Sequence, residues 1–245
     1  MKILWHNEVD INDQAASTEH IDYPLSNLVD PRLSRVFRTT DDDDEYIVIS
    51  GTDITADAIA ILNHNITSGA TIKIQGNDTD AWGAPSFEQS ITWAEYAIFQ
   101  TFTSGEYNYW RLFIDDASNP DEYIQIGRLF LGEVLEMPGM KADQEIDDGI
   151  TDSVDFSPSG QVYGDTGIDY RTMTINFPYI SEDERVDIRE MADDRRLSEP
   201  FVLDIWPGDT REKVMYCVLT TMPKWKRSDD RNYIWQLQMI VREVF

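Results

Sequence analysis

The sequence is poor in positive charge and in cysteine. It has 20 lysines and arginines against 46 aspartates and glutamates, which gives a formal net charge of −26 and a pI of about 4.2. Proteins that bind nucleic acid without sequence specificity use clustered cations to displace counterions, so this balance excludes that class. It also disfavours binding to an anionic membrane surface. The single cysteine, Cys217, cannot form a disulfide within the chain, so burial must stabilise the fold.

Long apolar runs are also lacking. No segment approaches the roughly 18–20 apolar residues that span a bilayer, so we expect no membrane insertion. The first ten residues, MKILWHNEVD, become acidic at Glu8 and do not form the apolar core of a signal peptide, which predicts folding in a reducing compartment. Hydrophobic residues make up 41% of the chain and aromatic residues 11%. This is enough for a core and argues against intrinsic disorder.

Residues 1–136 have the pattern of an antiparallel β-sandwich. Residues 71–75 alternate apolar and polar side chains, as a half-buried strand does, whereas residues 59–62 are apolar throughout, as a strand covered on both faces would be. No helical periodicity separates the runs. Six such runs are EYIVIS, AIAILNHN, TIKIQG, SITWAEYAIF, NYWRLFID and EYIQIGRLFLGE.

Residues 137–160 interrupt this pattern, since they contain two prolines, three glycines and few large apolar side chains. This composition predicts a domain boundary that is a linker or an extended arm. Residues 161–245 then form a second, smaller β-sandwich or barrel domain. The overall prediction is a mainly β chain, with an N-terminal antiparallel jelly-roll sandwich and a C-terminal β domain that carries one helix.

The one clear helix is predicted over residues 181–196. Ser181 and Glu184 have the spacing of a capping box, in which each side chain binds a free backbone N–H of the first turn. Acidic residues follow Ser181 and arginines end the segment, as the helix dipole favours. A narrow apolar stripe at helical spacing is formed by Ile188, Met191 and Ala192.

The residues do not form a recognisable catalytic motif. The three histidines, His6, His20 and His64, have no histidine partner at the spacing of a helical zinc site. Cys217 lies in an apolar strand-like run, which favours a buried side chain over a nucleophile. Carboxylates are too numerous for any pair to identify a glycosidase. We therefore predict that the protein is not an enzyme.

A Ca²⁺ site is the one cofactor that the sequence suggests. Residues 41–45 are five consecutive carboxylates, and hard cations bind clustered oxygens. The predicted ligands are Asp41, Asp43 and Glu45. The alternative is a solvated loop of like charges, because the run lacks the spacing of an EF-hand loop. No other cofactor is expected.

The C-terminal end is locally basic on this acidic chain. Its cations include Lys224, Lys226, Arg227 and Arg231. They are either solvated charges at a hairpin turn or a contact patch for an acidic neighbour, which can be another copy of the chain.

Three stretches of the first domain together resemble a known family. They are YPLSNLVD (23–30), AIAILNHNIT (58–67) and the pair YWRL (109–112) with IQIGRLFLG (124–132). Over residues 20–135 this resembles the galactose-binding-like (discoidin-type) jelly roll of tailed-phage structural proteins. The resemblance implies glycan binding at loops of one end, with Trp82, Trp93, Asn77 and Asp80 as candidate ligand-binding residues. The alternative is a buried aromatic residue with solvated turns.

The second domain resembles the tube-like or distal-tail-like units of siphophage tails. The resemblance rests on Ser159-Gly160, Tyr170-Arg171, the capped helix, PFVL (200–203) and the closing REVF (242–245). The resemblance implies a structural virion protein of the tail tip or baseplate, synthesised in the host cytoplasm. It would assemble into a homo-oligomeric ring with other tail proteins. The alternatives are a glycan-binding adhesin for host-surface attachment and a glycoside hydrolase accessory protein.

Overall fold

The computed structural model describes residues 1–137, 145–205, 213–229 and 234–245. They form two compact units. The first comprises Met1–Glu136, Phe201–Met215 and Phe245, and the second comprises Met137–Pro200 and Tyr216–Val244. Strands dominate and pair antiparallel, so the predicted mainly β fold class is confirmed. Among the described residues, no helix is long and apolar enough to cross a membrane.

Most elements of the first unit lie in residues 1–136. They are β1 (Lys2–Leu4), α1 (Glu8–Ile11), β2 (Asp13–Ala16), a 3-10 turn (Leu25–Val29), β3 (Phe37–Arg38), β4 (Glu45–Leu62), β5 (Thr71–Asn77), β6 (Phe87–Ser90), β7 (Ala97–Asp115), β8 (Gln125–Ile126), β9 (Arg128–Gly132) and β10 (Leu135–Glu136).

The long strands β4 and β7 organise this unit. They pair from Glu45 opposite Ile114 to Leu62 opposite Ala97, with register shifts in between. One half of the pair lies in a sheet of order β2-β4-β7-β5-β6. The other half of β4 pairs with β9. Strand β4 therefore pairs with β7 along most of its length, and with β2 and β9 on its first and last residues respectively.

Alternation along β7 supplies a row of buried side chains to the core of this unit. On β7, Trp110, Leu112 and Ile114 are buried, while the residues between them face outwards. The Trp110 indole N–H donates to the Ile54 carbonyl oxygen at 3.0 Å, so its one polar group is satisfied. Each such side chain contributes about 1.5–3 kcal/mol on burial.

Glycine at position 127 allows two backbone segments to approach closely. A Cβ there would lie 2.6 Å from the carbonyl oxygen of Leu33, and the Gly127 N–H donates to the carbonyl oxygens of Leu62 and Asn63. A larger residue at this position would push these backbone segments apart.

The remaining elements are β11 (Glu145–Ile150), β12 (Ser153–Phe156), β13 (Val162–Asp165), β14 (Asp169–Ile180), α2 (Glu182–Arg195), β15 (Phe201–Asp204), β16 (Val214–Leu219), β17 (Lys224–Asp229) and β18 (Ile234–Glu243). In the second unit, β14 lies between β11 and β18. Strand β18 also pairs with β17 and with residues 217–219.

Helix α2 begins and packs as predicted. The Glu184 N–H donates to Ser181 Oγ at 3.2 Å, and the Ser181 N–H donates to Glu184 Oε2 at 2.7 Å, which completes the capping box. Ile188, Met191 and Ala192 are the buried residues of the helix. The apolar stripe is therefore the packing face.

Two segments differ from the predicted domain plan. Residues 201–215, assigned from the sequence to the second domain, belong to the first unit because β15 pairs with β1. An apolar run identifies a strand but not its partner. The predicted linker, 137–160, contains β11, which pairs with β14, and begins the β12–β13 hairpin. Residues 138–144 of that linker lie outside the described residues.

Candidate functional site

The outward face of the first unit's sheet presents polar and aromatic side chains side by side. On β7, Arg111 and Phe113 alternate with the buried residues and point away from the core. Arg111 is opposite Gln75 of β5, and Phe113 is opposite Tyr46 of β4. The pairing register therefore brings these four side chains to one patch of the sheet.

The loop between β5 and β6 is held by the side chain of Asn77. Its amide Nδ2 donates to the Ala81 carbonyl oxygen at 2.7 Å, and its Oδ1 accepts from Ser86 Oγ at 2.9 Å. Inside this loop, the Trp82 indole N–H donates to Asp80 Oδ1 at 2.7 Å. These bonds orient the half-buried indole ring above the sheet.

Aromatic rings surround the Arg111 guanidinium. Its Cζ lies 4.6 Å from the centre of the Trp82 ring and 5.5 Å from the centres of both the Tyr46 and Phe113 rings. Its Nε donates to Gln75 Oε1 at 2.6 Å. Burial lowers the pKa of Arg111 below its usual value, but a guanidinium remains a cation at neutral pH.

A chain of polar contacts continues across the face from Gln75. The Gln75 amide donates to Glu88 Oε2, and Lys73 Nζ donates to Glu88 Oε1 at 3.2 Å. The hydrogen bond from Gln75 and the neighbouring Lys73 hold the pKa of Glu88 below its usual value, so it stays an acceptor. We call this patch the Trp82 site; it comprises Lys73, Gln75, Asp80, Trp82, Glu88 and Arg111.

The Trp82 site combines an aromatic surface with fixed donors and acceptors of hydrogen bonds. Trp82 is half-buried, Asp80 and Glu88 are exposed carboxylates, and Arg111 is a planar donor. An aromatic face and a few well-placed polar groups are the features with which proteins bind small polar ligands that have an apolar face.

Three of the four predicted ligand-binding residues come together here. Trp82 and Asp80 belong to the site, and Asn77 supports its loop with both ends of its amide. Trp93 does not belong to it: its indole N–H donates to the Ile66 carbonyl oxygen at 2.8 Å, and its ring packs partly buried against the core. Trp93 instead lines a separate cavity of about 390 Å³ that includes Gln100.

The other members of the site were missed from the sequence. Arg111, Gln75 and Glu88 lie on three different strands, and the strand register brings them together. The alternation of Arg111 with Trp110 was a signal that Arg111 faces the rim or surface. The alternation did not indicate which loop of the chain lies over Arg111.

Three aspartate side chains lie close together near the start of β4. Oxygens of Asp43, Asp44 and Asp115 all fall within 4.8 Å of one another. Partial loss of hydration, followed by the negative charges of Asp44 and Asp115, raises the pKa of the exposed Asp43 above its usual value. Such a group offers oxygen ligands to a divalent cation.

The three predicted metal ligands lie in different surroundings in the structure. Asp43 belongs to this group, and Asp41 does not. Glu45 is buried, where it accepts hydrogen bonds from the hydroxyl groups of Ser17 and Thr18. Glu45 alternates on β4 with the buried Ile47 and Ile49, so its side chain lies on the same inward face of the strand. Cation binding stays a prediction.

The predicted assembly residues lie on β17. Lys224 and Lys226 are exposed, and the Arg227 guanidinium lies 6.0 Å from the centre of the Trp235 ring. Arg231 lies outside the described residues. Their role in assembly stays a prediction.

No protein-family model matches the sequence, and no curated protein matches it. Several solved carbohydrate-binding modules resemble the chain over about half its length. A chitosan-binding module of a Paenibacillus sp. IK-5 chitosanase/glucanase is 18% identical, with a TM-score of 0.41, and the match covers 51% of this chain and 98% of the module.

Two further neighbours are of the same kind. A fucose-binding module of Streptococcus pneumoniae is 11% identical, covers 51% of this chain and 96% of the module, and has a TM-score of 0.42. The lectin domain of lectinolysin, complexed with Lewis B antigen, is 9% identical, with coverage of 52% and 96% and a TM-score of 0.43. All three neighbours are carbohydrate-binding proteins. Their ligands are properties of those proteins, and the assignment to a phage tail stays a prediction.

Proposed function

We propose that the protein is a glycan-binding module and that the Trp82 site binds the sugar. The observation that supports this is the stacking of Arg111 on Trp82, with Asp80 hydrogen-bonded to the same indole. A sugar ring presents an apolar C–H face, which an indole can cover, and hydroxyl groups, which carboxylates and a guanidinium bind. The proposal depends on the residues of this chain and not on the ligands of its structural neighbours.

The charge of the protein selects among glycans. The Trp82 site has two cations, Lys73 and Arg111, and two carboxylates, Asp80 and Glu88, so its own charge is balanced. The whole chain, however, has a formal net charge of −26. Its field repels sialylated or sulfated chains, so we expect neutral or amino-bearing oligosaccharides to bind better.

We propose further that the module is not an enzyme. Cys217 is fully buried, and burial raises the pKa of its thiol well above the usual value, which opposes nucleophilic catalysis. His64 is largely buried, and burial lowers its pKa to about 4. It is therefore neutral at pH 7 and is held within the folded unit rather than presented to a substrate.

A glycan array with the labelled full chain tests the proposal. We expect saturable binding to a subset of neutral or amino-bearing glycans, and calorimetry with the best oligosaccharide then gives its affinity. Trp82→Ala should weaken that affinity at least about tenfold, because stacking on an aromatic face is lost. Unchanged affinity in this variant would place the sugar elsewhere.

Tyr96→Ala is the matched control, since Tyr96 is an exposed aromatic residue of the same unit outside the site. It should bind as the wild type does. An array without any saturable signal would contradict glycan binding itself.

A second candidate function is that of a structural component of a larger assembly, such as a phage tail tip or baseplate. The observation that favours it is the exposed Lys224 and Lys226 on a chain that is otherwise strongly acidic. Measurement of the mass in solution, alone and with other tail proteins, tests this role. A chain that stays monomeric under both conditions would exclude ring assembly.

A further inference from the structure

The first unit contains a cavity that is separate from the Trp82 site. Its volume is about 390 Å³, near the lower end of the roughly 300–1,000 Å³ of small-molecule sites, so it fits one small molecule. Strand β7 contributes residues 99–101 to its walls, and the segment before that strand contributes Trp93. Asp204, at the end of β15, and Lys213, just before β16, also line it. All of these residues belong to the first unit.

One wall of this cavity is aromatic and fixed in place. The indole N–H of Trp93 donates to a backbone carbonyl oxygen at 2.8 Å, and Phe99 is a buried residue of β7. The amide of Gln100 holds the segment that carries Trp93: its Oε1 accepts from the Thr92 N–H at 2.7 Å, and its Nε2 donates to the Ser90 carbonyl oxygen at 3.0 Å. The wall is therefore preformed, and the amide of Gln100 is already used within the protein.

The carboxylate of Asp204 has an oxygen without a partner. Within the described part of the chain, Asp204 Oδ1 is buried and accepts no hydrogen bond. Lys2 is opposite Asp204 on β1, but its Nζ donates to Thr101 Oγ1 at 2.9 Å and lies 3.4 Å from Glu136. A buried oxygen without a donor is unfavourable, so the cavity favours a ligand that supplies one. Rotation about χ2 presents either oxygen of the carboxylate to such a donor.

Lys213 brings a positive charge to the same cavity. The Ile205 N–H donates to the Lys213 carbonyl oxygen at 2.7 Å, which places Lys213 beside the end of β15. Burial raises the pKa of Asp204 above its usual value, and the charge of Lys213 acts in the opposite direction. The cavity thus has one charge of each sign next to an aromatic wall. A ligand that matches all three features has a cationic donor, an anionic acceptor and an apolar group.

We propose that this cavity binds a free α-amino acid with a large apolar side chain. The ammonium group of the amino acid donates to the carboxylate of Asp204, and its carboxylate accepts from the ammonium group of Lys213. Its side chain packs against Trp93 and Phe99. Such a zwitterion has no net charge, so the formal net charge of −26 on the protein does not repel it.

A sugar matches this cavity less well than an amino acid does. Its hydroxyl groups need several neutral donors and acceptors, whereas Gln100 and Trp93 use theirs within the protein. The inference therefore goes beyond the glycan binding proposed for the Trp82 site and is independent of it.

An NMR titration of the isotope-labelled full chain at pH 7.5 tests the proposal. The probes are L-leucine, L-phenylalanine and L-tryptophan. We expect saturable shifts of the Trp93 indole resonance with at least one of them, and a Kd of about 10⁻⁴–10⁻³ M for a ligand of roughly a dozen non-hydrogen atoms. If none of the three produces saturable shifts at Trp93, the proposal is wrong.

Two analogues of phenylalanine test the need for both charges. 2-Phenylethylamine lacks the carboxylate and 3-phenylpropionate lacks the ammonium group, while both keep the ring. Each should bind at least about tenfold more weakly than the zwitterion, since each loses one charge-assisted hydrogen bond. An analogue that binds as tightly as the best amino acid would overturn the proposed ligand class.

Variants of the two charged residues test their roles. Asp204→Asn keeps the size of the side chain and Lys213→Met keeps its apolar stem, and each should weaken amino-acid binding about tenfold or more. Asp204→Asn should not lower Tm, because it removes a carboxylate whose Oδ1 is unpaired in the fold. Loss of binding with an unchanged or higher Tm therefore excludes misfolding as the cause. Unchanged affinity in either variant would contradict the proposal.

Controls separate this site from general charge effects and from glycan binding. Asp22→Asn and Arg35→Met change exposed charges of the first unit outside the cavity and should bind amino acids as the wild type does. Weakening by these controls equal to that of the cavity variants would overturn the assignment. Trp82→Ala should keep amino-acid binding, and Asp204→Asn should keep glycan binding, so the failure of one proposal is distinguishable from the failure of the other.

Discussion

The Arg111 guanidinium carbon lies 4.6 Å from the centre of the Trp82 ring. This contact joins a loop residue to the middle of a sheet face. Because Arg111 is itself fixed by Gln75 through its Nε at 2.6 Å, the position of the indole depends on residues of two neighbouring strands. The orientation of the ring is thus a property of the sheet as well as of the loop.

Arg111→Lys should weaken glycan binding without unfolding the protein. A lysine keeps the positive charge but loses the planar surface that stacks on Trp82 and the Nε–H that binds Gln75. We expect about a fivefold to tenfold loss of affinity by calorimetry with the best oligosaccharide of the array, in line with roughly 1 kcal/mol for a cation–π contact. The matched control Arg35→Lys should change nothing, and an unaffected Arg111→Lys variant would show that the stacking does not orient the ligand surface.

The sequence was most informative for features that depend on residues close together in the chain. The capping box at Ser181 and Glu184 predicted the start of α2, and the apolar stripe of that helix predicted its packing face. These features depend on spacing within a few residues, which can be read directly. The partner of β15 could not be predicted in this way, because pairing with β1 joins segments about 200 residues apart.

The candidate site was predictable only in part for the same reason. Asn77, Asp80 and Trp82 are close in the sequence and lie in one loop, so their proximity could be expected. Arg111 and Glu88 join them through strand register, which the hydrophobic pattern does not define on an exposed face.

Removal of a ligand oxygen tests the predicted Ca²⁺ site. If Asp43, Asp44 and Asp115 bind the cation, millimolar CaCl₂ should raise Tm, and calorimetry should give a Kd on the order of 10⁻⁴–10⁻³ M, typical of sites with few protein ligands. Asp115→Asn should abolish both effects. Glu45→Gln should instead lower Tm and leave Ca²⁺ affinity unchanged, because Glu45 is buried against Ser17 and Thr18. No heat and no change in Tm for the wild type would contradict the prediction.

The second unit should depend on a buried ion pair. Arg171 donates from Nε to Glu243 Oε2 at 2.9 Å and from its terminal nitrogen to Oε1 at 2.6 Å. Both residues are buried, so Glu243→Gln leaves a cation without its countercharge and should reduce the free energy of unfolding by about 3 kcal/mol. Urea denaturation measures this loss.

The matched control for this pair is Asp193→Asn, which breaks the exposed contact between Arg189 and Asp193 at 3.6 Å. Its effect should stay within about 0.5 kcal/mol, as for other exposed pairs on a helix. Equal losses in the two variants would mean that burial does not strengthen the Arg171–Glu243 interaction.

His64 should make the first unit sensitive to mild acid. Burial lowers its pKa to about 4 from the usual 6.5, and the backbone of Ala94 offsets this only in part. The neutral ring is therefore favoured in the folded state, and between these two values the unfolded chain binds more protons. The resulting stabilisation is complete above about pH 6.5 and is lost as the pH falls through 4.

The size of this effect can be isolated with His64→Gln. The shift in the pKa of His64 corresponds to a loss of up to roughly 3 kcal/mol in the free energy of unfolding when the wild type is acidified. The His64→Gln variant should not show this loss. Urea denaturation at several pH values between 7 and 4.5 should therefore show the difference between wild type and variant narrowing as the pH falls. His6→Gln, at an exposed position, should retain the pH dependence of the wild type. A difference between wild type and His64→Gln that does not change with pH would show that His64 accepts a proton in the folded protein as readily as in the unfolded chain.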